Sequence, residues 1–245
     1  MNRTLAVADS GRGFQFFGAA DVSLVGKRFH VNGQRATAIG FDRLALLVRT
    51  VENAEWRPDI VARKRDDAQW VCEQAALHEA ILDRAMSRGS VVPARFLSIF
   101  EQYSDLEALV RSNYDRWRRA LSRIAGKEEW TLHVFAGPHV APKHSPYLLR
   151  VKSTRSRTAA KRLAEPGGPV DEAIAKTWRA CTAIATASRH LESSADRRAV
   201  FGATLLVPAT RIDLLKEAIE RQALPARTLG LTYYLEGPRP PFNFV

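Results

Sequence analysis

A stripe of apolar residues at helical spacing, Leu106, Leu109, Val110, Tyr114, Trp117, Leu121 and Ile124, stops at Gly126, and an alternating pattern with Trp130, Leu132 and Val134 on one side begins almost at once. A helix face recurs about every 3.6 residues and a strand face every second residue, so the two patterns belong to different elements. Gly126-Lys127-Glu128-Glu129 therefore reads as a boundary between an N-terminal unit, 1–126, whose first 13 residues form a disordered or extended lead, and a second unit, 127–237. A tail, 238–245, follows. A chain of 245 residues that is 46% hydrophobic and 26% charged has enough apolar side chains for two folded cores and is not of disordered composition.

Phe14, Phe16, Gly18, Ala20 and Val22 alternate with mostly polar neighbours, the signature of a half-buried strand. Asn32-Gly33 is a hairpin dipeptide, and Ala36–Gly40 and Arg43–Val51 read as two further strands. Between Gln69 and Arg88 the period becomes helical, with Val71, Ala75, His78 and Leu82 on one side and Gly89 as the stop. Val91–Phe100 is apolar but carries Pro93, which restricts it to an edge strand or an extended segment. Ser104-Asp105-Leu106-Glu107 has the form of a capping box opening the helix that ends at Gly126.

The second unit starts with the strand at Trp130. Gly137–Ser145 reads as a loop, and Ser145-Pro146 as the start of a basic helix. After Pro166-Gly167-Gly168-Pro169, the residues Val170, Ile174, Trp178, Cys181, Ile184 and Leu191 predict one long helix. Ala199–Val207 predicts a buried strand, Thr210-Arg211-Ile212-Asp213 a second capping box with a helix to Gln222, and Leu229–Leu235 a last strand. The expected class is α+β, with a mixed N-terminal domain and a ferredoxin-like C-terminal domain of βαβαβ type.

The net charge is +11, and it is uneven: 19 basic against 15 acidic residues in 1–126, and 18 against 11 in 127–245. Lys143, Arg150, Lys152, Arg155, Arg157, Lys161 and Arg162 follow one another with no acidic residue between them. Such a patch serves either as a solvated helix face or as an anion-binding face, and a nucleic-acid-binding module using 143–162 is the alternative function it supports. Nucleic acid is the less favoured partner, since no aromatic beyond Tyr147 is interleaved and no recognisable nucleic-acid module accompanies the patch. Two cysteines, Cys72 and Cys181, are too few and too far apart for a disulfide framework or a zinc site, which fits a reducing cytoplasm. No apolar run approaches the roughly 18 residues a membrane helix needs, and the first residues lack the apolar core of a secretory signal.

Motifs that would carry catalysis fail one by one. His78-Glu79 begins like a zinc protease motif, but Leu82 stands where the second histidine belongs, so His78 reads as a hydrogen-bonded core residue. Gly11-Arg12-Gly13 precedes a strand instead of following one, so it is no dinucleotide fingerprint. His133, His139 and His144 lack a cysteine or carboxylate neighbour at metal-ligand spacing. No cofactor and no enzymatic activity are expected.

The C-terminus, Gly237-Pro238-Arg239-Pro240-Pro241-Phe242-Asn243-Phe244, is the most distinctive stretch. Its prolines forbid a helix or a central strand, and its aromatics must dock either on the chain itself or on a partner. It resembles the terminal Gly-Pro-Trp-Pro-Pro-Tyr-Ser-Phe signature of the gas vesicle proteins of the F and L type. His78-Glu79 with Ile81-Leu82, Val92-Pro93-Ala94-Arg95-Phe96 and Tyr147-Leu148-Leu149 occur in the same order as in that family, so the resemblance covers most of 14–245. Arg239, Phe242 and Asn243 depart from the signature, and Leu97 stands where the family usually has Gly.

The resemblance implies a two-domain, non-catalytic accessory protein of gas vesicle assembly, located in the cytoplasm and associated with the vesicle. Its implied partners are the small hydrophobic shell protein and other accessory proteins. The residues expected to meet them are Pro93, Arg95 and Phe96, then Tyr147, Arg150, Lys152 and Arg155, then Pro238, Pro240, Pro241, Phe242 and Phe244. For Pro93, Arg95 and Phe96, closing the N-terminal core is an equal alternative.

Overall fold

The computed structural model describes residues 11–136, 168–191 and 199–245. They fall into two compact units, 1–125 and 126–244.

The first unit is a five-stranded sheet in the order β2-β3-β4-β1-β5, with every neighbouring pair antiparallel. Its strands are β1 (Arg12–Asp21), β2 (Arg28–Val31), β3 (Gln34–Phe41), β4 (Leu44–Glu52) and β5 (Val91–Phe100). Asn32 and Gly33 both have positive φ, 47° and 75°, the conformation a tight hairpin turn demands and the reason this dipeptide links β2 to β3. Two short helices, α1 (Asn53–Trp56) and α2 (Pro58–Lys64), lead into α3 (Ala68–Met86), and α4 (Tyr103–Ile124) follows β5. Asp67 caps α3 by accepting from the amides of Gln69 and Trp70.

The half-buried reading of β1 is corrected. Phe16 meets Trp117 of α4 with ring centroids 5.7 Å apart, while its neighbour Phe17 meets His78 of α3 at 5.5 Å. Successive side chains point to opposite faces, so a helix covers each face, and every residue from Gly13 to Ala20 is buried. Fully burying a Phe or Leu stabilises by about 2 kcal/mol, and Phe16, Phe17, Leu44, Leu46 and Leu47 all sit at 1% exposure or less in this sheet.

The Ser104–Glu107 capping box is also corrected: α4 starts two residues earlier, its N-cap is Gln102 with no side-chain cap, and Ser104 donates instead to Gln102 Oε1. Once the helix begins at Tyr103, Ser104 lies inside the first turn, where its hydroxyl cannot reach an orphan amide.

The second unit has the strand order β7-β8-β6-β9, all antiparallel, from β6 (Lys127–Ala136), β7 (Ala187–His190), β8 (Ala199–Pro208) and β9 (Leu231–Arg239). Helices α5 (Pro169–Thr182) and α6 (Ile212–Ala226) bury Ile174, Cys181, Leu215 and Ile219 against Leu132, Val134, Ala203 and Leu205 of the sheet. This is the ferredoxin-like strand order with four strands, so the βαβαβ expectation gains one strand. The long helix expected to reach Leu191 ends at Thr182, and Ala187–His190 is a strand paired with Leu206–Ala203. Thr210–Asp213 forms no capping box either, because a 3-10 turn over Ala209–Arg211 carries the chain into α6 with Arg211 as its uncapped start.

Candidate functional site

On edge strand β5 the ladder with β1 pairs Phe16 with Ser98 and then Gly18 with Pro93. Ala94, Arg95, Phe96 and Leu97 thus stand opposite the single residue Phe17 and form an arch. The Ser98 hydroxyl closes it by donating to the Arg95 carbonyl at 2.7 Å. Gly18 is required on the facing strand, since a Cβ there would lie 2.4 Å from the Val92 carbonyl oxygen. Pro93 fits because an edge strand leaves its missing donor without consequence.

Leu97, at the end of the arch, has φ of +58°, in the left-handed region that glycine occupies without cost. The strain is offset by burial: Leu97 is 7% exposed in a cluster with Val51, Trp56 and Val61, flanked by Trp70, Phe96 and Ile99. The departure from the family's Gly at this position therefore exchanges backbone freedom for apolar packing.

Beneath the arch lies His78, fully buried, its ring 5.5 Å from that of Phe17 and edge-on to Phe96 at 5.9 Å. The His-Glu element on α3 and the Pro-Ala-Arg-Phe element on β5 are thus brought together by the fold. His78 is the buried core residue expected; its ring approaches the backbone of Ala94, although neither ring nitrogen has a partner of ideal hydrogen-bond geometry. Burial lowers its pKa to about 4 against the opposing hydrogen bond with the Ala94 backbone, so the ring packs as a neutral aromatic. Pro93 and Phe96 are half-buried, and Arg95 is exposed.

The C-terminal signature forms a second cluster. β9 runs past Leu235 through Gly237 and Pro238 to Arg239, which pairs with Glu129, so the strand continues two residues into the expected tail. Gly237 lies against the Trp130 ring: a Cβ would meet Cδ2 at 2.6 Å and the Glu129 carbonyl oxygen at 3.0 Å. Asn243 donates its backbone N–H to Glu129 Oε2 at 3.1 Å and its side-chain amide to Oε1 at 2.5 Å. Phe244 is buried, with the Arg189 guanidinium 5.9 Å from its ring centroid, and Pro240 and Pro241 are buried as well. Arg239 pairs with Glu236. Phe242 is half-buried, and Pro238 alone of the named tail residues is exposed.

Glu129 and Trp130 are the residues that sequence reasoning assigned only to a boundary and a strand. The one signal available was a glutamate at the entry of an apolar strand, directly before a tryptophan. Tyr147, Arg150, Lys152, Arg155 and the rest of the basic 143–162 patch lie outside the described residues, as do His139 and His144. Among the described residues no three His, Cys, Asp or Glu side chains gather as a metal ion requires, and no helix is long and apolar enough to cross a membrane.

A five-stranded antiparallel unit covered by helices on both faces, followed by a four-stranded ferredoxin-like unit whose proline-rich C-terminus folds back on its first strand, defines a two-unit α+β protein. Two solved structures share this architecture. GvpF from Anabaena sp. PCC7120 superposes with a TM-score of 0.66 at 14% identity, covering 95% of this chain and 97% of that one. GvpF from Microcystis aeruginosa gives 0.62 at 10% identity, covering 95% and 98%. Gas vesicle protein L of Streptomyces sp. (strain CB03234) is 29% identical over 76 residues, which span 31% of this chain and 29% of that protein. The family model described as gas vesicle synthesis protein GvpL/GvpF matches residues 18–245, and the chain belongs to that family.

Proposed function

We propose that the chain is a non-catalytic assembly or structural accessory protein of gas vesicles, cytoplasmic and vesicle-associated, that binds the small hydrophobic shell protein and other accessory proteins. The observation that carries this reading is the family match over 18–245, which takes in both units and the C-terminal signature. A shell protein with an apolar face needs a soluble partner to cover that face before it polymerises. In this chain the β5 arch offers a contact of suitable character: an exposed cation, Arg95, flanked in sequence by the half-buried Pro93 and Phe96. The tail contributes Pro238, while Pro240, Pro241 and Phe244 serve the chain's own packing.

The test is binding of the purified chain to the small shell protein at low and high salt, for the parent and for Arg95→Glu. Salt-resistant binding that drops for Arg95→Glu supports an apolar contact centred on the arch. Absence of binding at either salt, with retardation of nucleic acid at low salt, overturns the assembly reading and moves the function to the basic 143–162 patch.

A further inference from the structure

An α-helix is about 10 Å across and neighbouring strands lie about 4.8 Å apart, so one helix covers little more than two strands. On the Phe16 face of the first sheet that helix is α4, which packs against β1 and β5. It leaves open a strip formed by β2, β3 and the outer side of β4. Two strand spacings are about 10 Å, so the strip is about one helix wide.

The register identifies the side chains on this strip. Val48 pairs with Phe16 and with Thr37, so Arg35, Thr37, Ile39 and Phe41 of β3 share the face of Phe16. Arg28 pairs with Thr37 and His30 with Arg35, which adds both β2 residues to that face. Arg49 turns to the opposite face, where it is buried with its guanidinium 4.9 Å from the Trp56 ring centroid.

Across the strip the chemistry is graded. Beside α4, Ile39, Val48 and Tyr103 line a cleft of about 400 Å³ whose polar lining includes Thr37, Thr50 and Arg35. Toward the sheet edge, Arg28, His30 and Arg35 are exposed and enter no ion pair among the described residues. The carboxylates that border the strip are already engaged, Glu52 by Arg12 and Glu107 by Arg111. The open face is therefore apolar beside the helix and basic at the edge.

We propose that this strip seats an acidic amphipathic helix of a protein partner, laid beside α4. Its apolar side chains enter the cleft over Ile39 and Val48, and its carboxylates face Arg28 and Arg35. From Arg35 to Phe41 the strip runs about 20 Å, the length of about 13 helical residues. A second copy of this chain is a poor occupant, since at a net charge of +11 it would bring cations to cations. Nucleic acid fits less well, because no Phe, Tyr or Trp of the strip is exposed for base stacking. The strip lies toward the β2 edge of the sheet and the arch on the β5 edge, so the proposal goes beyond the shell-binding reading and does not depend on it.

The experiment titrates the isotope-labelled full chain at low salt with an acetylated peptide amide of two Leu-Glu-Glu-Leu-Leu-Glu-Glu repeats, with its glutamine counterpart and with oligothymidine, following the amide NMR signals. Saturable binding of the acidic peptide that moves the signals of Arg35, Thr37 and Ile39 is expected, with the glutamine peptide at least about tenfold weaker. Arg28→Glu combined with Arg35→Glu, both at exposed positions, should weaken the acidic peptide about tenfold or more. Arg84→Glu on α3, behind the opposite face, should change it less than about twofold. The proposal is overturned by no saturable binding, by equal binding of the glutamine peptide, by an Arg84→Glu loss as large as that of the pair, or by shifts confined to other residues. Oligothymidine that moves the same signals and binds more tightly than the peptide overturns the protein assignment and makes the strip a nucleic-acid face.

Discussion

Asn243, two residues before the end of the sequence, holds both carboxylate oxygens of Glu129, a residue at the start of β6 that is 3% exposed. The contact spans 114 positions and explains how a carboxylate is tolerated inside the second unit: two donors replace the water it has lost.

Asn243→Ala leaves one of those oxygens without its side-chain donor and should lower stability by about 2 kcal/mol. Asn243→Asp sets a second negative charge against Glu129 and should cost more. Urea unfolding of the three proteins gives the order; an Asp variant as stable as the parent would contradict the contact.

At Leu97 the usual ranking of Ala over Gly should reverse. Both substitutions remove the buried side chain from the Trp56 cluster, a loss of about 3 kcal/mol, but only Gly also relieves the positive φ, by about 1 kcal/mol. Thermal melts should therefore place Leu97→Gly above Leu97→Ala, with both below the parent. Ala above Gly would mean that position 97 is not held in the left-handed region.

His78 makes stability depend on pH. Its folded pKa of about 4 lies below the ordinary 6.5, so between these values the unfolded chain binds more protons than the folded one. Stability is undiminished above pH 6.5, falls as the pH drops toward about 4, and is reduced by about 3 kcal/mol once below it. His78→Phe keeps the ring contacts with Phe17 and Phe96 and should flatten this slope in denaturant midpoints. An unchanged slope would assign the acid sensitivity to other groups.

Gly237→Ala drives a methyl into the Trp130 ring and should destabilise by about 2 kcal/mol. Trp130→Leu makes room, so the double variant should lose less than the two single losses combined, measured as a coupling energy in a double-mutant cycle. Strict additivity would argue against the ring contact.

The elements that a local pattern can announce were legible. The Asn32-Gly33 hairpin, the α3 stripe and the stop at Gly126 depend on residues within one or two turns of each other, and spacing alone identifies them. β7 was not legible: Ala187-Ser188-Arg189-His190 has neither alternation nor β-branched residues, and it is a strand because β8 supplies its hydrogen bonds. The arch was hidden because Val91–Phe100 is apolar throughout, and nothing local shows that four of its residues leave the ladder.

Both clusters depended on packing from afar. Arg49 alternates with Leu46 and Val48 like any outward polar residue, and Glu129 looks like linker charge. The sequence by itself determined the periods, the turns and the signature elements, because backbone geometry at each position answers to near neighbours. Only the tertiary structure decided which side chains lose their water, since α3 and α4 close both faces of β1 and the C-terminal residues return to Glu129 and Trp130 from more than 100 positions away.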